Sequence, residues 1–154
     1  MNLEVKYEKS VAEFPLETRE GSAGIDLYVA EDVSMKKGDF KLISMGVVVR
    51  VPKGFYTELV PRSSTFKKYG LIQTNSVGVI DNSYCGNDDI IKMPVFATRD
   101  TEVKRGDRIC QLLVKKDYSL DVDIVKVETM SESNRGGFGS TDMEVRRFTK
   151  EKLI

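Results

Sequence analysis

The sequence predicts an all-β domain of the barrel or jelly-roll kind. Three observations carry this expectation. Short runs rich in β-branched and aromatic residues recur along the chain. Gly, Pro, Asn or Asp separates them. No stretch of about 12 residues or more keeps a clean helical period. Many short strands with turn punctuation close into a barrel or a double sheet.

Taken in order, the predicted strands are Leu3–Tyr7, Ile25–Val29, Phe40–Val51, Phe55–Val60, Leu71–Thr74, Ile90–Thr98, Ile109–Lys115 and Asp121–Val127. Gly24 precedes the second, Pro52 and Gly54 divide the third from the fourth, and Pro61 closes the fourth. Gly70 opens the fifth, and the turn formers of RGDR open the seventh. One helical turn is expected over TFKKYG, capped by the hydroxyl of Ser63 or Ser64. Residues 1–130 form the predicted β domain. The segment 131–142, SESNRGGFGSTD, is polar, glycine-rich and nearly coreless, so mobility is expected in the free protein. Residues 143–154 form a charged extension to which the sequence assigns no role.

The totals exclude several function classes. The chain has 154 residues, enough for one domain with a sizeable core. Lys and Arg total 24 and Asp and Glu total 24, so there is no basic footprint for nucleic acid. An anionic ligand must be held by a few local groups. No apolar run approaches the roughly 18–20 residues of a membrane span, and MNLEVKYEKS lacks a signal-peptide core. Cys85 and Cys110 stand apart with no CxxC, and there is no His, which excludes the usual zinc sites. Two packed free thiols suit a reducing, cytoplasmic location. Without His, Ser–His–Asp and Cys–His nucleophile systems are also excluded. Acid–base work falls to Asp, Glu, Tyr or Lys.

Five segments read as more than scaffold. In SAGIDLYVA, Asp26 sits inside an apolar strand, where a paired structural role is the plain alternative to a ligand contact. In PRSS, Arg62 can fork onto phosphate oxygens while Ser63 and Ser64 offer hydroxyls; a surface Arg with an ordinary cap is the alternative. NSVGVIDNSYCG reads as a tight hairpin, Val77–Ile80 entering a turn at Asp81–Ser83 and Tyr84 leaving it. On turn chemistry alone, Asp81 and Asn82 are simply turn formers. In RGDRICQL, strand alternation puts Arg108 and Cys110 on one face and Gln111 on the other. In NRGGFGST, glycines free the backbone to wrap a ligand, and successive N–H groups can cradle phosphate oxygens. Phe138 there has no core to join, so a flat ligand is a reasonable partner. The Walker A spacing and its Lys are missing.

In this order, the five segments resemble the signature motifs of the trimeric dUTPase family, over residues 22–141. The block PRSSTFKKYGLIQTNSVGVIDNSYCG, followed by RDTEVKRGDRICQL, is most similar to dUTPases of Gram-positive bacteria and their phages. The resemblance implies a distorted β jelly roll, three copies in a ring and composite sites. It implies hydrolysis of dUTP to dUMP and pyrophosphate, which holds dUTP low against dTTP and supplies dUMP for thymidylate synthesis. Asp81 is then the general base. Asn75, Gly78, Ile80 and Tyr84 hold uracil and deoxyribose, and Phe138 covers the base. Arg62, Ser63, Ser64, Gln111, Arg135, Gly137, Ser140 and Thr141 hold phosphates, and Asp26 supports them. Mg²⁺ is expected on the phosphates and waters with no direct protein ligand. Two departures mark the tail. Arg135 and Phe138 are two residues closer than in R-G-x-G-G-F-G-S-T-G, and Asp142 replaces the last Gly.

Three other readings compete. A dCTP deaminase, alone or bifunctional, needs a Glu near C4 of cytosine, and no Glu lies between Asn75 and Arg99. A nucleotide-sensing protein could use the same site to bind a regulator, if the chain is phage-encoded. A sugar-binding jelly roll without activity leaves Asp81 and the glycine-rich tail unexplained.

Overall fold

A computed structural model describes residues 1–140. Its strands are β1 (Glu4–Tyr7), β2 (Ile25–Leu27), β3 (Val33–Met35), β4 (Phe40–Ser44), β5 (Val47–Arg50), β6 (Phe55–Pro61), β7 (Leu71–Gln73), β8 (Gly78–Ile80), β9 (Lys92–Ala97), β10 (Thr101–Val103) and β11 (Cys110–Lys116). One short helix, α1, spans Thr65–Tyr69. The chain folds as the expected distorted β jelly roll, almost without helix. Every strand pair is antiparallel, in sheets ordered β1-β5, β3-β10, β2-β11-β6-β8 and β4-β9-β7.

Alternation decides which faces are buried. Thr57 and Leu59 on β6 and Cys110 and Leu112 on β11 point inward, where they join Leu27, Ile43, Leu71, Met93, Val95 and Ile109. The three-stranded sheet turns Ile43, Met93, Val95 and Leu71 to this core. Its other face shows Phe40, Leu42, Ile72 and Phe96 to solvent, with Phe96 in register between Phe40 and Ile72. This strip is apolar on a face that alternation should leave polar.

Several predicted boundaries change. Phe40–Val51 is two strands, broken at Met45–Gly46. Gly46 has φ +63°, and its carbonyl accepts from Glu8 N at 2.7 Å. A Cβ there would lie 2.7 Å from Val11 Cγ2, so only glycine lets the chain turn against the core. β3 and β10 escaped the pattern reading because each has three residues and is defined only by pairing with the other. The predicted strand Asp121–Val127 does not form. A 3₁₀ turn at Ser119–Asp121 follows β11, and Val122, Ile124, Val125 and Val127 are exposed. In a strand Val122 and Ile124 would share one face while Val125 and Val127 fell on the other, so the run has no single apolar face to bury.

The expected tight hairpin is also different. β8 pairs back onto β6, and the chain after Tyr84 turns without forming a strand, Tyr84 N donating to Asp81 O at 3.0 Å. The helical turn is present, but neither serine hydroxyl caps it. Thr65 Oγ1 instead ties down the residue before the serines, accepting from Arg62 N at 3.0 Å and donating to Ile109 O at 2.6 Å. Among the described residues, no helix is long and apolar enough to cross a membrane.

The compact unit ends at Asp121. Residues 122–140, described by themselves, contain no strand. Thr141, Asp142 and the extension 143–154 lie outside the described residues.

Both cysteines are free, but only Cys110 is packed; Cys85 is half-buried. Burial, helped by the charge of Asp26, pushes the Cys110 thiol far up. A maleimide should therefore modify Cys85 first in the native protein, and Cys110 only on unfolding. Two equally fast thiols would contradict this packing.

Candidate active site

β6 leaves its sheet at Pro61, and the next residue, Arg62, is held by its own backbone. Arg62 N donates to Ile109 O at 3.3 Å as well as to Thr65 Oγ1. β2 lies beside β11 in a register that sets Asp26 opposite Gln111. The Asp26 carboxylate is thereby brought between two guanidiniums. Arg62 Nε is 3.1 Å from Oδ1, and Arg108 Nη1 is 3.2 Å from Oδ2. Arg62 Nη1 also donates to Arg108 O at 3.2 Å. All three side chains are half-buried, which strengthens the pairing relative to an open surface.

Alternation misplaced Arg108. Counted as strand, it would share the face of Cys110, yet it meets Asp26, which is opposite Gln111. The regular strand begins only at Cys110, so parity does not extend back to Arg108. An Arg two residues outside a strand that faces an intrastrand Asp was the available signal.

These groups line a cleft of about 360 Å³ with Glu17, Arg19, Glu20, Gly24, Ser63 and Gln111 among its walls. Ser64 is exposed and outside this lining. Gln111 donates from Nε2 to Pro61 O at 3.2 Å. Gly24 makes room for it: a Cβ at that position would sit 2.0 Å from Gln111 Oε1. Three carboxylates among the walls face two guanidiniums, and Arg108 behind Asp26 brings the balance to zero. The cleft offers forked donors, but no excess of positive charge.

A second pocket, of about 440 Å³, gathers Asn75, Gly78, Ile80, Asp81 and Tyr84 with Leu42 and Leu59. Asn82 anchors its turn, donating from Nδ2 to Val51 O at 2.9 Å and Pro52 O at 3.1 Å. Asp81 is thus left exposed at the rim. Tyr84 Oη donates to Ile90 O at 2.9 Å, which fixes the ring across the pocket wall. Gly78 forms the bed, where a Cβ would lie 3.2 Å from Leu59 Cβ. Ser76, at φ +59°, holds the mouth in the left-handed region. Sequence reasoning passed over Gln73. Buried beneath Asn75, it donates from Nε2 to Leu59 O and to Asn75 Oδ1, both at 2.9 Å. The signal was an amide at a core-facing position, two residues after Leu71.

Within one chain the two sites are far apart. Ile80 pairs with Thr57, and Arg62 lies five residues further along β6. At ~3.3 Å per residue that is about 17 Å, with Asp81 beyond Ile80 on the far side. In the tail, Gly136, Phe138 and Gly139 have φ of +80°, +51° and +89°, and Ser140 N donates to Gly137 O at 3.1 Å. Phe138 is exposed, and Arg135 makes no ion pair among the described residues.

The jelly roll thus holds two separate recesses, a guanidinium cleft and a small amide-edged pocket. The family model for dUTPase matches residues 11–142. An SPbeta prophage-derived deoxyuridine 5'-triphosphate nucleotidohydrolase of Bacillus subtilis is 45% identical over 141 residues, covering 92% of this chain and 98% of that protein. The fold matches a Staphylococcus bacteriophage 80alpha dUTPase solved with dUpNHpp, at a TM-score of 0.74 and 22% identity, covering 91% of this chain and 98% of that one. It also matches the dUTPase of S. aureus phage phi11, described with a structural Mg(II) ion, at 0.73 and 19%, covering 86% and 100%. The chain belongs to the dUTPase family.

Replacing Asp26 by Ala leaves two guanidiniums facing each other without their shared anion. A loss of about 1–2 kcal/mol in urea unfolding is expected, between the values for exposed and buried pairs. Unchanged stability would show that the pairing holds nothing in place.

Proposed function

We propose that the chain hydrolyses dUTP to dUMP and pyrophosphate at sites shared between three copies. The observation that carries this reading is the grouping of Asn75, Gly78, Ile80, Asp81 and Tyr84 around one pocket of a dUTPase-family chain. Uracil sits there on the Gly78 bed, with its carbonyl and N–H edge toward Asn75 and nearby backbone. Cytosine carries an amine where uracil has O4, which leaves buried groups unpaired and supports rejection by roughly 10⁴–10⁵. The methyl of thymine meets the Gly78–Leu59 contact at an overpacking cost of about 1–3 kcal/mol. Tyr84 closes on the deoxyribose and leaves no room for a 2′-hydroxyl.

The catalytic carboxylate is Asp81. It orients a water in line with the α-phosphorus and takes its proton as the water oxygen bonds to phosphorus. The bond from that phosphorus to the bridging oxygen breaks, and pyrophosphate leaves. Arg62, Ser63, Ser64 and Gln111 hold the α- and β-phosphates, with Asp26 and Arg108 fixing the Arg62 fork. Residues 1–130 are the β domain, and residues 131–142 are the lid motif, supplied to the site by a third copy. Arg135, Gly137, Ser140 and Thr141 close on the γ-phosphate, and Phe138 stacks on uracil for on the order of 0.5–1.5 kcal/mol beyond burial.

Asp81 and Arg62 must address one phosphorus, yet about 17 Å of β6 separates their levels in one chain. A site that joins them takes Asp81 from one copy and Arg62 from another. A closed ring of three supplies this. The exposed strip Phe40, Leu42, Ile72 and Phe96 gives such a ring an apolar seam, and the exposed run Val122–Val127 suits an arm laid on a neighbour.

Mg²⁺ fits the donor set as a companion of the substrate. Among the described residues no group of three or more Cys, Asp or Glu could hold a metal, and both Asp26 oxygens are engaged by arginines. The charge balance of the cleft leaves a triphosphate in need of a counter-cation. Bound through phosphate oxygens and water, Mg²⁺ supplies neutralisation of developing charge. The family and the reducing-compartment chemistry of the free thiols suit a cytoplasmic enzyme.

Pyrophosphate release from dUTP and the four common deoxynucleoside triphosphates, with and without Mg²⁺, tests this directly. Turnover of dUTP alone is expected, and equal turnover of all five would refute the pocket. Asp81→Asn should keep dUTP binding and lose about 10²–10⁴-fold in kcat; near-normal turnover would remove its role as base. Subunits carrying Asp81→Asn and subunits carrying Arg62→Ala, unfolded together and reassembled, should regain activity, with about a quarter of sites intact for random mixing in a closed ring. A mixture as inactive as its parts would argue that each site is built from one chain.

A further inference from the structure

We infer that Gln73 is a specificity-determining positioning residue, which locks the Asn75 carboxamide so that the pocket presents an N–H donor and refuses cytosine. The inference rests on the reading above that uracil occupies this pocket. The lock starts at a backbone carbonyl. Leu59 O can only accept, so the Gln73 group 2.9 Å away must be its amide nitrogen, Nε2. That nitrogen carries a second hydrogen, which it gives to Asn75 Oδ1 at 2.9 Å. With its oxygen engaged, Asn75 leaves Nδ2 free over the pocket bed, 3.5 Å from the place a Cβ on Gly78 would take.

This donor matches the O4 carbonyl of uracil. Cytosine has an amine there, and donor would face donor. To accept cytosine, Asn75 would have to turn Oδ1 outward and set Nδ2 against Gln73 Nε2. Gln73 cannot turn in response, because Oε1 would then face Leu59 O. Each amide is held by the one beneath it, and the last is held by β6.

The other end of Gln73 supports a role beyond packing. Its Oε1 is buried without a hydrogen-bond partner. Leucine or methionine would fill the same core-facing place without stranding an acceptor. What the amide adds is its pair of N–H donors, one anchored on Leu59 O and the other orienting Asn75.

Pyrophosphate release from dUTP and dCTP, measured on the full-length protein as Gln73→Met, Asn75→Ala and the double variant, tests the lock. Gln73→Met should lower the dUTP-over-dCTP ratio of kcat/KM by about tenfold or more, through a higher KM for dUTP and a gain on dCTP, with kcat for dUTP little changed. On the Asn75→Ala background the same change should add nothing to the ratio, because the two residues act as one unit. A Gln73→Met protein with the parental ratio, or an equal fall on both backgrounds, would overturn the lock while an Asn75→Ala effect left the pocket standing. Parental discrimination by Asn75→Ala would overturn pocket and lock together. If Gln73→Met does not fold, amide exchange in the unaltered protein decides. Both Gln73 side-chain protons should exchange slowly, and the Asn75 pair should shift on adding dUMP; rapid exchange at Gln73 would overturn the proposal.

Discussion

The pairing of β6 with β11 on one side and β8 on the other is the constraint on which the rest depends. Seven register positions tie β6 to β11, and three tie it to β8. Because these contacts are antiparallel, the residue after β6 meets the start of β11, while the residue after β8 is carried to the opposite end. Arg62 therefore joins Gln111 and Asp26, and Asp81 joins nothing in that cleft. The ladder that orders both the cleft and the pocket also keeps them apart.

Each recess is then set by short-range chemistry. In the cleft, one carboxylate shared by Arg62 and Arg108 holds two long side chains that would otherwise wander, at the expense of some charge available to a ligand. The absence of a side chain at Gly24 lets Gln111 lie against β2. In the pocket, glycine again provides the floor, while buried or anchored amides at positions 73 and 82 hold the walls. Each site is built from backbone carbonyls outward, so a small change in strand register would disturb it more than a change of surface charge.

Much of the fold was legible because strands advertise themselves by composition and by the turns between them. Seven of the eight predicted runs contain observed strands, and the all-β class follows from them. What escaped was pairing. β3 and β10 are too short to show a period, and the apolar residues of 122–127 change face between Ile124 and Val125. In the candidate site, Asp26, Arg62 and Gln111 line one cleft and Asn75, Gly78, Ile80, Asp81 and Tyr84 another. Arg108 and Gln73 were read as strand residues, since their importance lies in partners from other strands. The cap expected from Ser63 or Ser64 is not made, and the hydroxyl engaged there, on Thr65, bonds Arg62 N and Ile109 O outside the helix.

The outer face of the three-stranded sheet has a bearing on how this chain fares while it is being made. A folded copy shows water a plate of phenylalanine, leucine and isoleucine. Such a surface adheres to any greasy neighbour, its own kind or a half-made stranger. Left uncovered, that plate limits the concentration at which the folded chain stays dispersed, and crowded synthesis is where the limit is met first.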